Sequence, residues 1–330
     1  MLYYYYMSKS VCVTRPIPEA GLTLLREHGY DVDSNPSDAL LSHEEVISLL
    51  QKKPYDGALT LLTDKIDAAV FDAAPSIKIY ANYASGFDNI DLAEARKRGI
   101  TVTNAPAPLT SEAVAEHTIA LTLALAARVV EADQFVRDGK YAGWSPMNFV
   151  GTDIVGKNFG LIGAGRIGER VAHYARGLGM SIFYTDVRRS DAFEKACDAT
   201  YCESIEKLLP QVDVVSLHVP LLPTTRHLIN AERLRLMKPT AFLINTARGP
   251  VVEEAALEEA LKQKTIAAAA LDVFEFEPKV SPGLIALPNV ILTPHIASAS
   301  IATRDQMATI AAQNLIDFFE GRQPKYAVNK

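Results

Sequence analysis

At 330 residues the chain exceeds the usual reach of one hydrophobic core, so two domains, or one large α/β body with an attached lobe, are expected. A hydrophobic fraction of 48% beside 22% charged residues argues against disorder, and a net charge of -6 argues against a generic nucleic-acid binder. Cys12, Cys197 and Cys202 form no CxxC pair and are odd in number, a poor disulfide framework and a poor zinc site, so a reducing cytoplasm and no metal are expected.

The chain begins with a tyrosine run, Tyr3 to Tyr6, ahead of a second methionine, Met7, and lacks the basic segment and aliphatic stretch of a signal peptide. Residues 1–10 are read as an accessory end. Apolar runs at 10–14, 57–62, 77–82 and 100–102 alternate with helical patterns at 18–28, 65–73 and 91–97, the order of a parallel sheet covered by helices. Pro106 and Pro108 then punctuate the chain and mark the expected hinge. Residues 111–137 read as one long helix rich in Ala and Leu, capped by Thr110 or Ser111. Its most apolar part, 119–130, is interrupted by Thr122 and Arg128 and is too short to span a bilayer, so it is expected to be buried or at an interface.

A second alternating series begins near Lys157, with apolar runs at 158–162, 181–185, 212–218, 241–245, 266–271 and 290–292, the six strands of a dinucleotide-binding sheet. A helical tail follows at 303–320. The expected fold is α/β, with two Rossmann-like or flavodoxin-like lobes, parallel sheets and an active-site cleft between them. The substrate-binding domain is assigned to 1–106 completed by 302–330, and the dinucleotide-binding domain to 107–301.

Directly after the run 158–162 stands Gly163-Ala164-Gly165-Arg166-Ile167-Gly168, and a helical pattern follows. Glycines at these spacings permit a tight turn, close approach of a pyrophosphate to N–H groups at the helix start, and close helix-to-strand packing. Alone, a glycine-rich turn is usually just a turn. Here the next apolar run ends in Asp186, 18 residues beyond Gly168, where an acid accepts from the adenosine ribose hydroxyls. A carboxylate there repels the additional phosphate of NADP, which favours NAD. Arg188 and Arg189, just beyond, offer a phosphate site only if their loop turns inward; the commoner fate of such arginines is a solvated surface loop.

Ligands of open α/β sheets bind beyond the carboxyl ends of the strands, so polar residues directly after apolar runs are the place to search. Arg248 follows 241–245, Asp272 and Glu277 follow 266–271, and His295 follows 290–292. Each has an ordinary structural explanation: a loop arginine, a surface turn before Pro278, a satisfied histidine. Together they supply what reduction of a 2-oxo acid requires. His295 is the natural proton donor, Glu277 would fix its tautomer and favour the imidazolium, and Arg248 offers a bidentate fork for a carboxylate. Asp272 is assigned to orienting the nicotinamide amide.

The glycine turn, the runs Asn245-Thr246-Ala247-Arg248-Gly249, Asp272-Val273-Phe274-Glu275-Phe276-Glu277-Pro278 and Pro294-His295-Ile296-Ala297, together with Ser85-Gly86-Phe87-Asp88-Asn89-Ile90-Asp91 and His218-Val219-Pro220-Leu221, resemble the motifs of the D-isomer-specific 2-hydroxyacid dehydrogenases over nearly the whole chain. The resemblance implies these roles for Arg248, Glu277 and His295, and N–H groups of Ser85 and Gly86 on the substrate carboxylate. It implies cofactor contacts at Gly163, Gly165, Arg166, Ile167, Gly168, Asp186, Val219, Pro220, Thr246, Ala247, Arg248 and Asp272. It implies a homodimer built largely through the helix after Ser111. Glu253 departs from the pattern, which more often has aspartate there; a carboxylate is retained, so a shifted contact is expected.

The stretch Tyr141-Ala142-Gly143-Trp144-Ser145-Pro146, then Gly151-Thr152-Asp153, resembles the glyoxylate and hydroxypyruvate reductase branch, in which a tryptophan at the position of Trp144 helps close the substrate pocket, in some members from the neighbouring subunit. Packing of a loop on a helix explains Trp144 equally well. D-lactate dehydrogenase and D-3-phosphoglycerate dehydrogenase stand as alternatives, the latter disfavoured because many members carry a regulatory domain for which the chain has no room. From another class, an NAD-sensing corepressor-like protein is the rival, which the intact Arg248, Glu277 and His295 set disfavours.

Overall fold

A computed structural model of the chain describes residues 8–329; the tyrosine run at 3–6 lies outside the described residues. The chain divides into two compact units, one comprising the residues up to Thr110 and again from Ala299, the other Ser111–Ser298.

The first unit alternates β1 (Ser10–Val13), α1 (Glu19–Glu27), β2 (Asp31–Ser34), α2 (His43–Leu50), β3 (Gly57–Leu61), α3 (Ala68–Ala73), β4 (Ile79–Tyr83), α4 (Leu92–Lys97) and β5 (Thr101–Thr103). All strands are parallel, in the order β2-β1-β3-β4-β5. Parallel strands buried on both faces read as continuous apolar runs, which is why β1, β3 and β4 are visible in the sequence. β2 is not: it lies at the edge, reads Asp-Val-Asp-Ser and is only partly covered. Side-chain caps set the helix starts, with a capping box between Ser42 and Glu45 on α2 and Asp67 and Asp91 opening α3 and α4.

The second unit contains α5 (Pro108–Ala126, which begins in the first), α6 (Val129–Arg137), β6 (Asn158–Ile162), α7 (Arg166–Gly177), β7 (Ser181–Thr185), α8 (Asp191–Cys197), β8 (Ala199–Tyr201), α9 (Ile205–Leu208), β9 (Val214–Leu217), α10 (Ala231–Leu234), β10 (Phe242–Asn245), α11 (Glu254–Lys262), β11 (Ala268–Leu271), α12 (Pro282–Ile285) and β12 (Val290–Leu292). Its parallel sheet runs β12-β11-β10-β9-β6-β7-β8. It thus has seven strands rather than six; the extra one, β8, is a short edge strand with no apolar run to announce it. The chain then returns to the first unit as α13 (Ile301–Phe319), capped by Ser300.

In the first unit α1 and α13 share one sheet face, where Leu22, Leu25, Met307, Ala311 and Leu315 pack on Val11, Leu59 and Ile79. Each fully buried leucine there contributes about 1.5–3 kcal/mol. Gly21 lets the two helices touch, since a Cβ would lie 2.7 Å from the Ala308 carbonyl oxygen. In the second unit α5 and α7 cover one face of the sheet, and Leu208, Leu234, Leu257 and Leu261 cover the other.

The long helix expected over 111–137 is two helices bent by 64°. Arg128 breaks it in the left-handed region, at φ 55°. The Ala126 carbonyl accepts from Thr152 N–H at 2.9 Å instead of continuing the helical ladder, and Gly151 is pressed so close that a Cβ would stand 2.2 Å from that oxygen. The start also differs. Pro108, not Ser111, opens α5; proline suits a first turn whose N–H has no partner, and Leu109 N–H is taken by the Gln306 side chain at 3.1 Å. No single helix among the described residues is long and apolar enough to cross a membrane.

Candidate active site

β6 delivers the chain to the glycine turn. Gly163 has φ 104°, and a Cβ there would lie 2.7 Å from the His218 carbonyl oxygen, so only glycine serves. A Cβ on Gly168 would approach the Gly163 carbonyl oxygen to 2.3 Å, which explains the last glycine by close helix-to-turn packing. Gly165 differs, with extended backbone and nothing within 4 Å of its missing Cβ. The free space lies at the N-terminus of α7, whose leading N–H groups attract an anion. At the end of β7 the Asp186 carboxylate accepts from Ala164 N–H at 2.7 Å and Val187 N–H at 2.6 Å. This arrangement fits a dinucleotide, with pyrophosphate over Gly165 to Ile167 and a ribose near Asp186.

Arg189 does not face that site. Its Nε and Nη2 each donate to Glu194 at 2.8 Å, a bidentate pair. Arg188 is exposed. On the other side of the turn, burial pushes His218 down to about 3, so the imidazole is neutral, with Nε2 2.9 Å from the Ser216 hydroxyl. Val219 is half-buried and Pro220 exposed just beyond it. Thr246 is joined to α5 by a 2.9 Å hydroxyl contact with Thr118.

The carboxyl ends of β10, β11 and β12 carry the polar residues predicted from sequence. Fully buried Asn245 builds the turn holding Arg248: its Oδ1 accepts from Ala247 N–H and its Nδ2 donates to the Arg248 carbonyl, each at 3.0 Å. Arg248 is half-buried, with Nη1 on the Ala247 carbonyl at 2.8 Å. His295 Nδ1 lies 3.0 Å from Glu277 Oε2, and Glu277 Oε1 accepts from Phe274 N–H at 2.9 Å. A carboxylate only accepts, so Nδ1 carries the hydrogen and the proton chemistry falls to Nε2, which has no hydrogen-bond partner among the described residues. This is the arrangement of an oriented acid and base.

His295 sits at φ 56°, a conformation that costs a non-glycine residue strain. Asp272 holds it there. The carboxylate is fully buried and accepts from Thr293 Oγ1 at 2.6 Å, Ile296 N–H at 2.8 Å and Ala297 N–H at 2.8 Å, while its own carbonyl accepts His295 N–H at 2.9 Å. His117 on α5 completes the cluster, 3.2 Å from the Thr293 hydroxyl and 3.5 Å from Asp272. Burial pushes the Asp272 carboxyl up, but donation from His117, Thr293 and the two N–H groups prevails and leaves it below its ordinary value. The stabilisation is present at neutral pH and lost only as pH falls through that lowered value. Asp272→Asn is expected to cost about 1–3 kcal/mol, because an amide hydrogen then confronts a buried donor; calorimetric melting checks this, and kcat should fall with it. His117 carried no signal beyond its residue type, since its partners Thr293 and Asp272 lie far away in the chain, whereas Asn245 acts locally, inside the run that carries Arg248.

In the first unit, Ser85 and Gly86 follow β4. Their carbonyls are taken by Asn104 Nδ2 at 2.6 Å and Asn82 Nδ2 at 3.0 Å, while their N–H groups have no partner among the described residues. Trp144, with 84% of its surface exposed, packs on no core of its own chain. Among the described residues no group of three or more His, Cys, Asp or Glu is placed to hold a metal ion. Burial pushes the thiols of Cys12 and Cys197 up to about 12 and about 11, so neither is a ready nucleophile.

Comparison with known proteins gives a consistent result. Residues 119–297 match the profile of the D-isomer specific 2-hydroxyacid dehydrogenase, NAD binding domain. The glyoxylate reductase of Korarchaeum cryptofilum is 50% identical over 327 residues, 98% of this chain and 97% of that protein. The glyoxylate reductase of Thermococcus kodakarensis is 46% identical over 98% of this chain and 97% of its own length. Among solved structures, the TT0316 protein from Thermus thermophilus superposes with a TM-score of 0.90 at 42% identity, covering 97% of this chain and 99% of that one. An NADPH-dependent glyoxylate/hydroxypyruvate reductase from Sinorhizobium meliloti gives 0.84 at 32% identity, with 97% of each chain covered.

Proposed function

The chain belongs to the D-isomer-specific 2-hydroxyacid dehydrogenases, and from that premise we propose that it is a glyoxylate reductase that also accepts hydroxypyruvate and prefers NADH. The observation that carries the catalytic assignment is the 3.0 Å contact between His295 Nδ1 and Glu277 at the carboxyl end of the sheet. When bound, the dinucleotide supplies the hydride; the remaining requirements fall on the chain. His295 donates from Nε2 to the substrate carbonyl oxygen in reduction and takes the proton back in oxidation. Glu277 keeps the ring in one orientation and one tautomer. Arg248 and the N–H groups of Ser85 and Gly86 are assigned to the substrate carboxylate.

NADH preference is supported by Asp186 at the ribose position and by the pairing of Arg189 with Glu194, which leaves that fork unavailable to a 2′-phosphate. Steady-state oxidation of NADH and NADPH against glyoxylate, hydroxypyruvate and pyruvate tests the whole proposal. Glyoxylate and hydroxypyruvate should be reduced faster than pyruvate, and NADH used in preference; the reverse order on either axis overturns that half of it.

Trp144 is assigned to crowding the substrate side-chain pocket. Trp144→Ala is expected to shift the ranking toward larger 2-oxo acids, and an unchanged ranking removes Trp144 from the substrate pocket. A homodimer is supported by the apolar side chains that α6 and the following segment expose, among them Val129, Val136, Tyr141, Met147 and Val150. Sedimentation should give twice the chain mass. A cytoplasmic location is part of the same proposal.

Glu277→Gln tests the proton assignment. The Glu277 carboxylate only accepts, so it holds the hydrogen on Nδ1 and leaves Nε2 for the substrate. Glutamine keeps the size and removes the charge. Its amide can donate to the ring as well as accept from it, so kcat for reduction should fall about tenfold or more with NADH binding unchanged, and an unchanged kcat would reassign the orienting group.

A further inference from the structure

Beside the catalytic residues lies a set of buried charges that their chemistry does not use. The Glu275 side chain is almost fully buried, and its Oε1 lies 2.6 Å from His227 Nε2. Oε2 accepts from Glu254 N–H at 3.0 Å, and Glu254 returns the bond, accepting from Glu275 N–H at 2.9 Å and Ser281 N–H at 3.0 Å. Two buried carboxylates thus grip one another's backbone. His227 and, at 3.8 Å, the cationic Arg226 face Glu275. The Arg248 turn meets the same loop, because a Cβ on Gly249 would lie 1.8 Å from the Phe274 carbonyl oxygen, and the Pro250 carbonyl accepts from His227 N–H at 2.8 Å.

We propose that His227 is a positioning residue for the reaction. It locks the loop 272–281, and with it Glu277, against the turn that carries Arg248. The inference rests on the catalytic reading of Glu277 and Arg248. A carboxylate only accepts, so His227 Nε2 must donate, and loss of that donor leaves the buried Glu275 charge without its nearest partner. The loop then has less reason to stay closed, and Glu277, two residues on, loses its fixed aim at His295.

The test compares His227→Asn with His227→Gln. His227 has φ 50°, a region that asparagine tolerates, but asparagine is too short to reach Glu275, whereas glutamine places a donor near Nε2. His227→Asn is expected to speed amide exchange in 272–281 and 248–251 and to lower kcat about tenfold with NADH binding unchanged. His227→Gln should restore both. Unchanged exchange in those segments, or a fall in activity that glutamine does not recover, overturns the proposal. If Glu277→Gln itself leaves kcat unchanged, the catalytic reading fails, and amide exchange still decides the clamp.

Discussion

His295→Asn is expected to lower kcat for 2-oxo acid reduction by about 10²–10⁴-fold, the usual worth of a positioned acid or base, while NADH binds as before. Asparagine is preferable to alanine because of the backbone. At φ 56° alanine adds strain of about 1–2 kcal/mol to the chemical loss, whereas asparagine occupies the left-handed region readily. The N–H of residue 295 can still donate to the Asp272 carbonyl, so the loop should keep its shape. Single-turnover kinetics with fluorescence titration of NADH separates the two effects. A variant that loses NADH affinity first, or that turns over normally, would place the proton donor elsewhere.

Gly165→Val is expected to weaken NADH binding by about a hundredfold or more, close to 2.7 kcal/mol, with melting temperature unchanged. The three glycines of the turn differ in what surrounds them. Valine at Gly163 would meet a positive φ and the His218 carbonyl, and at Gly168 it would strike the Gly163 carbonyl, so lost binding in either would report damaged folding. At Gly165 the backbone is extended and the space beyond is open, so the new methyl groups would occupy only the region assigned to the pyrophosphate. Retained affinity in a folded variant would move the cofactor site.

Much of this architecture is legible in the sequence because parallel strands buried on both faces must be apolar throughout. β6, β7, β9, β10 and β11 each appear as such a run, β12 does so although it forms the other edge of its sheet, and the residue directly after a run lies at the ligand-binding edge. The partnership of Glu277 with His295 follows from two of those positions. β2 and β8 escape the same logic, since an edge strand is covered on fewer sides and needs fewer apolar residues.

Local order along the chain thus determined the alternation of strands and helices, the glycine turn with Asp186, and the identity of the polar residues at the strand ends. Other features depend on partners distant in sequence. The break at Arg128 follows from Thr152 capturing the Ala126 carbonyl, the left-handed His295 from the Asp272 carboxylate, and the grip on the Glu277 loop from Glu254 and His227. Such contacts leave no periodicity. A buried carboxylate must find donors wherever the fold brings them, so its partners are set by the packing of elements and not by spacing along the chain.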